Sequence, residues 1–426
     1  MSVVILFIGL FLFVLGVPIS VALGLAVAGA LVLSRTMPLT LLVQQMYVGA
    51  DSFLLIAIPL FMIAGNIMNH GGLTRRIFKF AKCIVGFMPG GLGHVNVVAS
   101  VIFAGMSGSA IADTVGLGPI EMQAMEEDGY DREFSIGITA SSSIIGPIIP
   151  PSIPMVVYGG LTEVSIAALF MAGIIPGLLM ALSLMVLIYL FAVKRGYRKH
   201  KPVSARECWN IFKDAFPAML TPVIILSGIF GGIFSPTEAA VIAVIYSIII
   251  GAFYYKELKF QALKIIFKKA CVETAIIMLI VSVSSSVGWI LAFEDIPQIV
   301  SEYVFSLNLS PLTILLFLNV FFIILGCFMD GLAILIIFIP VIFPLIISVG
   351  INPVHFGIVI ILNIMIGALT PPFGMLLFVA SRISKLPVHT VSKAVLPFLI
   401  PLTIVLFLIT IFPALVTFLP KVFNYI

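Results

Sequence analysis

Residues 141–154, SSSIIGPIIPPSIP, set four prolines in an otherwise apolar stretch of the chain. A proline has no amide hydrogen, and its ring clashes with the preceding turn of a helix. The residue before a proline is also displaced from the helical conformation. This stretch therefore predicts a helix that is broken in its middle, with backbone carbonyl groups that need partners other than lipid.

A second broken helix is predicted over residues 362–374, LNIMIGALTPPFG, where paired prolines again occur near a glycine. The pairs Pro150-Pro151 and Pro371-Pro372 lie 221 residues apart. The same separation relates five further positions in order: Gly105 with Gly326, Pro119 with Pro340, Gly129 with Gly350, Gly146 with Gly367, and Pro176 with Pro397. Because glycine and proline mark backbone geometry, this shared spacing predicts a duplicated fold.

The composition places this duplicated fold in a lipid bilayer. Of the 426 residues, 62% are hydrophobic and 9% are charged, and the mean hydropathy is +1.28. A soluble domain carries about 25% charged residues, so the chain is predicted to be an all-α polytopic membrane protein. The net charge of +4 is too small to indicate a nucleic-acid partner. The longest polar stretch, 194–214, is predicted to be a cytoplasmic loop.

The positive charges predict the topology, because Lys and Arg in short loops mark the cytoplasmic side. Basic residues cluster in four places: 75–82, 194–201, 256–269 and 382–385. Counting the apolar segments between them leaves 92–122 and 311–348 as re-entrant hairpins that enter from opposite sides. We therefore expect an inverted repeat with about ten transmembrane helices and two hairpins. The repeat also divides residues 3–34 into two short spans near Pro18 and leaves both termini outside.

Inverted repeats with interrupted helices are typical of secondary transporters, which bind ions at the interruptions. Freed carbonyls together with Ser, Thr and Asn oxygens suit a hard cation. We predict two such sites, one where each hairpin tip meets a broken helix. The predicted ligands are Ser107, Ser109, Ser143 and Gly146 in the first half, and Gly326, Asn363, Gly367 and Thr370 in the second half. The alternative is that the prolines only kink packed helices.

Four stretches of the chain carry a resemblance to one family: GMSGSAIADTVGLGPIEMQAM (105–125), GPIIPPSIPMVVYG (146–159), GIFSPTEAA (232–240) and LTPPFG (369–374). Together they resemble the large membrane subunit of the tripartite ATP-independent periplasmic (TRAP) transporters of bacteria. The resemblance covers essentially the whole chain. It implies a sodium-driven importer of organic acids that binds two or more Na⁺ ions.

The resemblance also implies the partners and the location of the protein. The partners would be a small four-helix membrane subunit and a periplasmic substrate-binding protein, and the location would be the bacterial inner membrane. The family fold is similar to that of the divalent-anion/sodium symporters, an elevator-type fold with a scaffold and a moving transport domain. On this basis the chain divides into a scaffold half, a transport half, a cytoplasmic linker, a second scaffold half and a second transport half: 1–90, 91–193, 194–214, 215–310 and 311–426.

Asp330 is the one formally charged residue between Glu302 and His355, and a carboxylate at membrane depth is functional by default. The resemblance places it at the tip of the second hairpin beside the substrate cavity, where Ser109 and Ser152 are the other predicted substrate-binding residues. Asp330 could accept hydrogen bonds from the substrate, bind Na⁺, or cap a helix N-terminus, where negative charge is favoured.

Family substrates include sialic acid and C4-dicarboxylates. A bare aspartate would repel a small dicarboxylate, so a polyhydroxylated sugar acid such as sialic acid is favoured. Asp113, near the other hairpin tip, is predicted to be structural support, with indirect help to the bound ion as the alternative.

Other functions stay open beside sodium-coupled import. A channel is one, because re-entrant hairpins occur in channels. A proton-coupled carrier is another, because buried carboxylates serve as proton relays; the candidates are Asp113, Glu238, Glu273 and Asp330. An enzyme is not expected, since the five histidines are scattered and the sequence has no HExxH motif.

Overall fold

The computed structural model describes residues 1–34, 37–197 and 201–426, and the secondary structure of these residues is helical. Part of one predicted basic cluster, Arg198 and Lys199, lies outside the described residues.

The N-terminal part of the first half contains five helices: α1 (Ser2–Val14), α2 (Ile19–Ser34), α3 (Thr40–Ala50), α4 (Ala57–His70) and α5 (Leu73–Val85). The chain turns between α1 and α2 at Gly16, which has a φ of +79°. The predicted division of residues 3–34 into two short helices near Pro18 is thus confirmed.

The first hairpin and the first broken helix follow, with a long helix after them: α6 (Gly91–Ser107), α7 (Ala110–Gly116), α8 (Gly118–Glu127), α9 (Arg132–Ser143), α10 (Ile153–Thr162) and α11 (Ile166–Arg195). The hairpin turns at Gly108, in the left-handed conformation with a φ of +60°. The helix predicted to be broken is interrupted between Ser143 and Ile153, at the proline-rich stretch.

The middle of the chain contains four helices: α12 (Ala205–Phe230), α13 (Pro236–Ile249), α14 (Phe260–Phe293) and α15 (Ile296–Ser306). The prediction of a loop over 194–214 is wrong from Ala205 onward, because α12 begins inside the polar stretch. Ser204 caps this helix by accepting a hydrogen bond from the Glu207 amide at 3.3 Å. The spacing of Ser204 and Glu207 is that of a capping box and could have revealed the helix start.

The second hairpin and the second broken helix complete the chain: α16 (Pro311–Phe328), α17 (Gly331–Ser348), α18 (Pro353–Leu369), α19 (Met375–Ser384), α20 (Val388–Ile411) and α21 (Ala414–Val422). A shift of 221 residues brings the starts of α6, α9, α10 and α11 within one residue of the starts of α16, α18, α19 and α20. The predicted duplication is therefore present in the element order. The opposite orientation of the halves in a membrane stays a prediction.

The two halves interlock through the segments that follow the breaks. Helix α10 packs against α17, and α19 packs against α7 and α8. Likewise α9 packs against α20, and α18 packs against α11. Each broken helix is thus held by elements of the other half, which brings both interruptions into one packed body.

Eight helices of the described residues are long and apolar enough to cross a membrane, which fits the predicted all-α polytopic class. Helices α1 and α2, of 13 and 16 residues, are shorter than the roughly 20 residues that a bilayer core requires. The predicted number of about ten transmembrane helices stays a prediction.

Candidate functional site

The tip of the first hairpin lies directly on the first break. The amide of Ile153 donates a hydrogen bond to the carbonyl of Gly108 at 3.3 Å. A Cβ atom built on Gly108 would lie 2.5 Å from the carbonyl oxygen of Pro151, so this contact requires glycine. A Cβ atom built on Gly146 would lie 3.5 Å from the carbonyl oxygen of Ser109. The structure therefore brings Ser109 and Gly146 together, as the sequence predicted.

A buried polar network joins the first arm of this hairpin to the helix before the break. The Asn96 Nδ2 donates to Thr139 Oγ1 at 2.7 Å, and the Ser142 hydroxyl donates to Asn96 Oδ1 at 2.6 Å. Ser100 lies within hydrogen-bond distance of Ser142 Oγ, at 3.1 Å, and of Asp113 Oδ1, at 3.4 Å. All five side chains are at most 1% exposed. The contact with Ser100 is compatible with the predicted supporting role of Asp113.

The hydroxyl groups of Ser107 and Ser141 are buried and have no hydrogen-bond partner among the described residues. Ser107 was predicted as an ion ligand, whereas Ser141 was missed. The predicted ligand Ser143 donates to the carbonyl of Ala140 at 2.9 Å, which leaves its oxygen lone pairs as acceptors. Successive helical residues point about 100° apart, so only packing decides which of the serines 141–143 is free.

The two predicted substrate-binding serines both cap helices. Ser109 Oγ accepts from the Ala112 amide at 3.4 Å, at the start of α7. Ser152 Oγ accepts from the Met155 amide at 3.3 Å and donates to the carbonyl of Pro147 at 2.5 Å. Ser152 is fully buried and closes the first break on itself. Substrate contact by either serine stays a prediction.

The second site is built on a close approach of two glycines. A Cβ atom built on Gly326 would lie 2.8 Å from the Cα of Gly367, and one built on Gly367 would lie 2.6 Å from the Cα of Gly326. Helices α16 and α18 thus touch backbone to backbone, as the shared prediction of both glycines requires. Thr370 ends α18, where its amide donates to the carbonyl of Gly367 at 2.8 Å and its hydroxyl donates to that of Ile366 at 2.7 Å.

Asn363 lies one turn before Gly367 and is 1% exposed. Its Nδ2 donates to Asn319 Oδ1 at 2.8 Å and to the carbonyl of Val359 at 2.9 Å. Its Oδ1 has no hydrogen-bond partner in the part of the chain that the structure describes. The predicted ligand Asn363 therefore presents a buried acceptor with unused capacity.

Asp330 caps the second arm of the second hairpin. Its Oδ1 accepts from the amides of Leu332 and Ala333 at 3.0 and 3.4 Å, and the residue is only partly buried. It stands 221 residues after Ser109, so the two tips carry equivalent caps, one neutral and one acidic. The hydrogen bonds of Asp330, Ser109 and Ser152 stay within their own halves, and a shared substrate cavity stays a prediction.

The donors at the two breaks fit a hard monovalent cation better than a transition metal. The free oxygens are hydroxyls at the first break and an amide carbonyl at the second. Within residues 1–34, 37–197 and 201–426, no group of three or more His, Cys, Asp or Glu side chains converges on a point. Neutral oxygens beside interrupted helices are the ligands that ion-coupled carriers use for Na⁺.

Comparison with known sequences assigns the family. The model of the tripartite ATP-independent periplasmic transporters, DctM component, matches residues 4–415. The sialic acid TRAP transporter large permease protein SiaM of Vibrio cholerae is 45% identical over 408 residues, which cover 96% of each chain. The sialic acid TRAP transporter permease protein SiaT of Haemophilus influenzae is 44% identical over 420 residues, covering 98% of this chain and 68% of that protein. A C4-dicarboxylate TRAP transporter large permease protein DctM, from Pseudomonas aeruginosa, is 38% identical over 400 residues and 94% of each chain.

Comparison with solved structures bears on the fold. The YdaH transporter of Alcanivorax borkumensis matches with a TM-score of 0.63 at 15% identity, over 88% of this chain and 87% of that one. The MtrF protein of Neisseria gonorrhoeae matches with a TM-score of 0.60 at 11% identity, over 87% and 83% of the two chains. The all-α polytopic fold class is thereby confirmed.

The cap geometry predicts how Asp330 variants behave. Asp330→Ala removes the acceptor for two amides and should lower the melting temperature in detergent, by a loss of about 0.5–2 kcal/mol, whereas Asp330→Asn keeps a good cap. If Asp330 also binds substrate, Asp330→Ala additionally loses about five- to hundredfold in apparent affinity. Substrate-dependent uptake and melting curves of both variants measure the two effects separately.

Ser109→Ala serves as the matched control, because it removes the equivalent cap in the first half. Wild-type uptake kinetics in Asp330→Ala, together with a lower melting temperature, would exclude a substrate role and leave Asp330 as a cap.

Proposed function

Because this chain belongs to the family of tripartite ATP-independent periplasmic transporters as a DctM component, we propose that it is the large membrane subunit of a sodium-driven importer of sialic acid. The alternative substrate class is the C4-dicarboxylates. The identity of 45% to a sialic acid permease, against 38% to a C4-dicarboxylate permease, supports the first choice.

The observation that carries the sodium coupling is the set of unused oxygens at both breaks. Ser107 Oγ, Ser141 Oγ and Asn363 Oδ1 are buried acceptors without a hydrogen-bond partner in the described ranges. A buried polar group without a partner costs about 1–3 kcal/mol, and a bound cation removes that cost. One Na⁺ at each break would be held by these oxygens and by nearby backbone carbonyls. Binding Na⁺ completes each site and so links the ion gradient to the conformation that carries substrate.

The family assigns the remaining components of the import system. A periplasmic substrate-binding protein delivers the organic acid, and a small membrane subunit accompanies the large one. The complex lies in the bacterial inner membrane, with both termini of this chain on the periplasmic side. The chain itself then supplies the pathway across the membrane.

The transport step follows an elevator mechanism in this proposal. The interlocked elements of the two halves, α6–α11 and α16–α21, form a body that moves with the ions and the substrate. Helices α1–α4 and α12–α14 form the scaffold. The crosswise packing of α10 on α17 and of α19 on α7 supports movement as one unit, because such a body can shift without breaking its own sites.

One observation favours proton coupling as a second candidate. Asp113 Oδ2 and both carboxylate oxygens of Glu121 are buried without hydrogen-bond partners in the described part of the chain, and buried carboxylates serve as proton relays in carriers. The other carboxylates have local partners: Glu238 completes the capping box of α13, and Glu273 lies 3.7 Å from Lys269.

Uptake into proteoliposomes decides between the two couplings. Liposomes containing this chain and its small subunit receive labelled sialic acid bound to the periplasmic protein. We expect accumulation above the external concentration with an inward Na⁺ gradient, and none when choline replaces Na⁺ or when the binding protein is omitted. Accumulation driven by a pH gradient in sodium-free buffer would contradict sodium coupling and favour the Asp113 and Glu121 candidate.

A disulfide between the proposed scaffold and the moving body tests the elevator step. A Cβ atom built on Gly288 in α14 lies 3.5 Å from the Cβ of Pro340 in α17, which is within the range of disulfides. In a background without the native cysteines, oxidation of the variant Gly288→Cys with Pro340→Cys should stop uptake, and dithiothreitol should restore it.

The control pair lies within the scaffold. A Cβ atom built on Gly9 lies 3.8 Å from the Cβ of Ala26, so Gly9→Cys with Ala26→Cys should form a disulfide and leave uptake unchanged. Full uptake by the oxidised Gly288 and Pro340 variant would rule out relative movement of α14 and α17.

A further inference from the structure

Asn363 takes part in a buried chain of hydrogen bonds that crosses three helices of the second half. Asn319 Nδ2, on α16, donates to Thr410 Oγ1 on α20 at 2.9 Å, and Asn363 Nδ2, on α18, donates to Asn319 Oδ1 at 2.8 Å. The Thr410 hydroxyl donates to the carbonyl of Leu406 at 2.7 Å. Asn319, Asn363 and Thr410 are each 1% exposed, so water does not compete for these bonds.

The chain has a fixed direction, because it ends on groups that can only accept. A backbone carbonyl has no hydrogen, so the Thr410 hydroxyl must donate to Leu406 and its oxygen accepts from Asn319. The NH₂ group of Asn319 therefore faces Thr410, and its oxygen faces Asn363. The NH₂ group of Asn363 in turn faces Asn319, and the carbonyl of Val359 at 2.9 Å requires the same orientation. The oxygen of Asn363 is left over as a free acceptor.

The first half contains a related arrangement. Asn96 on α6 donates to Thr139 and accepts from Ser142, and Ser142 is the counterpart of Asn363 at a separation of 221 residues. In both halves an asparagine on the first hairpin arm holds the same position of the broken helix. The position next to Ser142 is Ser141, whose hydroxyl is free.

We propose that Asn319 and Thr410 are positioning residues for the second cation site: their hydrogen bonds turn the amide of Asn363 so that its oxygen is presented to the ion. This inference rests on the proposed sodium coupling. Neither residue touches the ion. Each acts through Asn363, because reversing that amide would place an NH₂ group where the cation binds and an oxygen against the carbonyl of Val359.

The test is the Na⁺ dependence of uptake for Thr410→Val, which keeps the shape of the side chain and removes the acceptor. We expect the Na⁺ concentration for half-maximal uptake to rise about five- to tenfold, with a near-normal maximal rate at saturating Na⁺. Thr410→Ser keeps the hydroxyl and should restore the wild-type Na⁺ dependence. Should Thr410→Val not reach the membrane, Thr410→Cys, whose thiol is a weak acceptor, replaces it with the same expected shift.

Thr417→Val is the matched control, because the Thr417 hydroxyl also donates to a carbonyl one turn earlier, that of Pro413, at 3.1 Å. It should leave the Na⁺ dependence unchanged. An unchanged Na⁺ dependence in Thr410→Val, or an equal shift in Thr417→Val, would overturn the positioning role. Wild-type uptake that needs no Na⁺ would instead overturn the proposed sodium coupling, so the two failures are distinguishable.

Discussion

The hydrogen bond from the amide of Ile153 to the carbonyl of Gly108 joins a hairpin tip to a broken helix, and it expresses the constraint on which the fold depends. Backbone groups released by proline cannot be left facing lipid, since each costs several kcal/mol there. The interruptions must therefore be enclosed by protein. Each half encloses its own break with a hairpin, and the crosswise packing of α10 and α19 on the opposite half seals both.

The same enclosure explains the chemistry of the interior. The first half supports its break with hydroxyl and amide groups around Asn96, and the second half does so with Asn319, Asn363 and Thr410. Neutral side chains of this kind can be buried when their hydrogen bonds are satisfied, whereas a charge needs a partner of its own. The few oxygens left without partners then stand out as positions that an ion can complete. Gly326 and Gly367 bring the second site together because a side chain on either would separate α16 from α18.

The breaks, the hairpins and the duplicated order were predictable, because proline and glycine act on the backbone wherever they stand. Of the candidate ligands, Ser107, Gly146, Gly326, Asn363 and Gly367 were also found, since they flank those breaks. Ser141 could not be chosen over its neighbours, because three consecutive serines differ only in the direction that packing gives them. Glu121 was missed for a similar reason: its burial comes from tertiary packing of α8, whose sequence contains two further glutamates that are not buried. The equivalence of the caps Ser109 and Asp330 lay in the 221-residue spacing, but different side chains concealed it.

The central claim is that buried oxygens at the two breaks bind Na⁺. The most direct measurement is a pair of high-resolution cryo-electron microscopy maps of the complex, one in sodium chloride and one in choline chloride. The account predicts density in contact with Asn363 Oδ1 and, at the other break, with Ser107 or Ser141 Oγ, present in sodium and absent in choline. Identical maps in the two salts, or a protein donor seated on Asn363 Oδ1 in sodium, would contradict it.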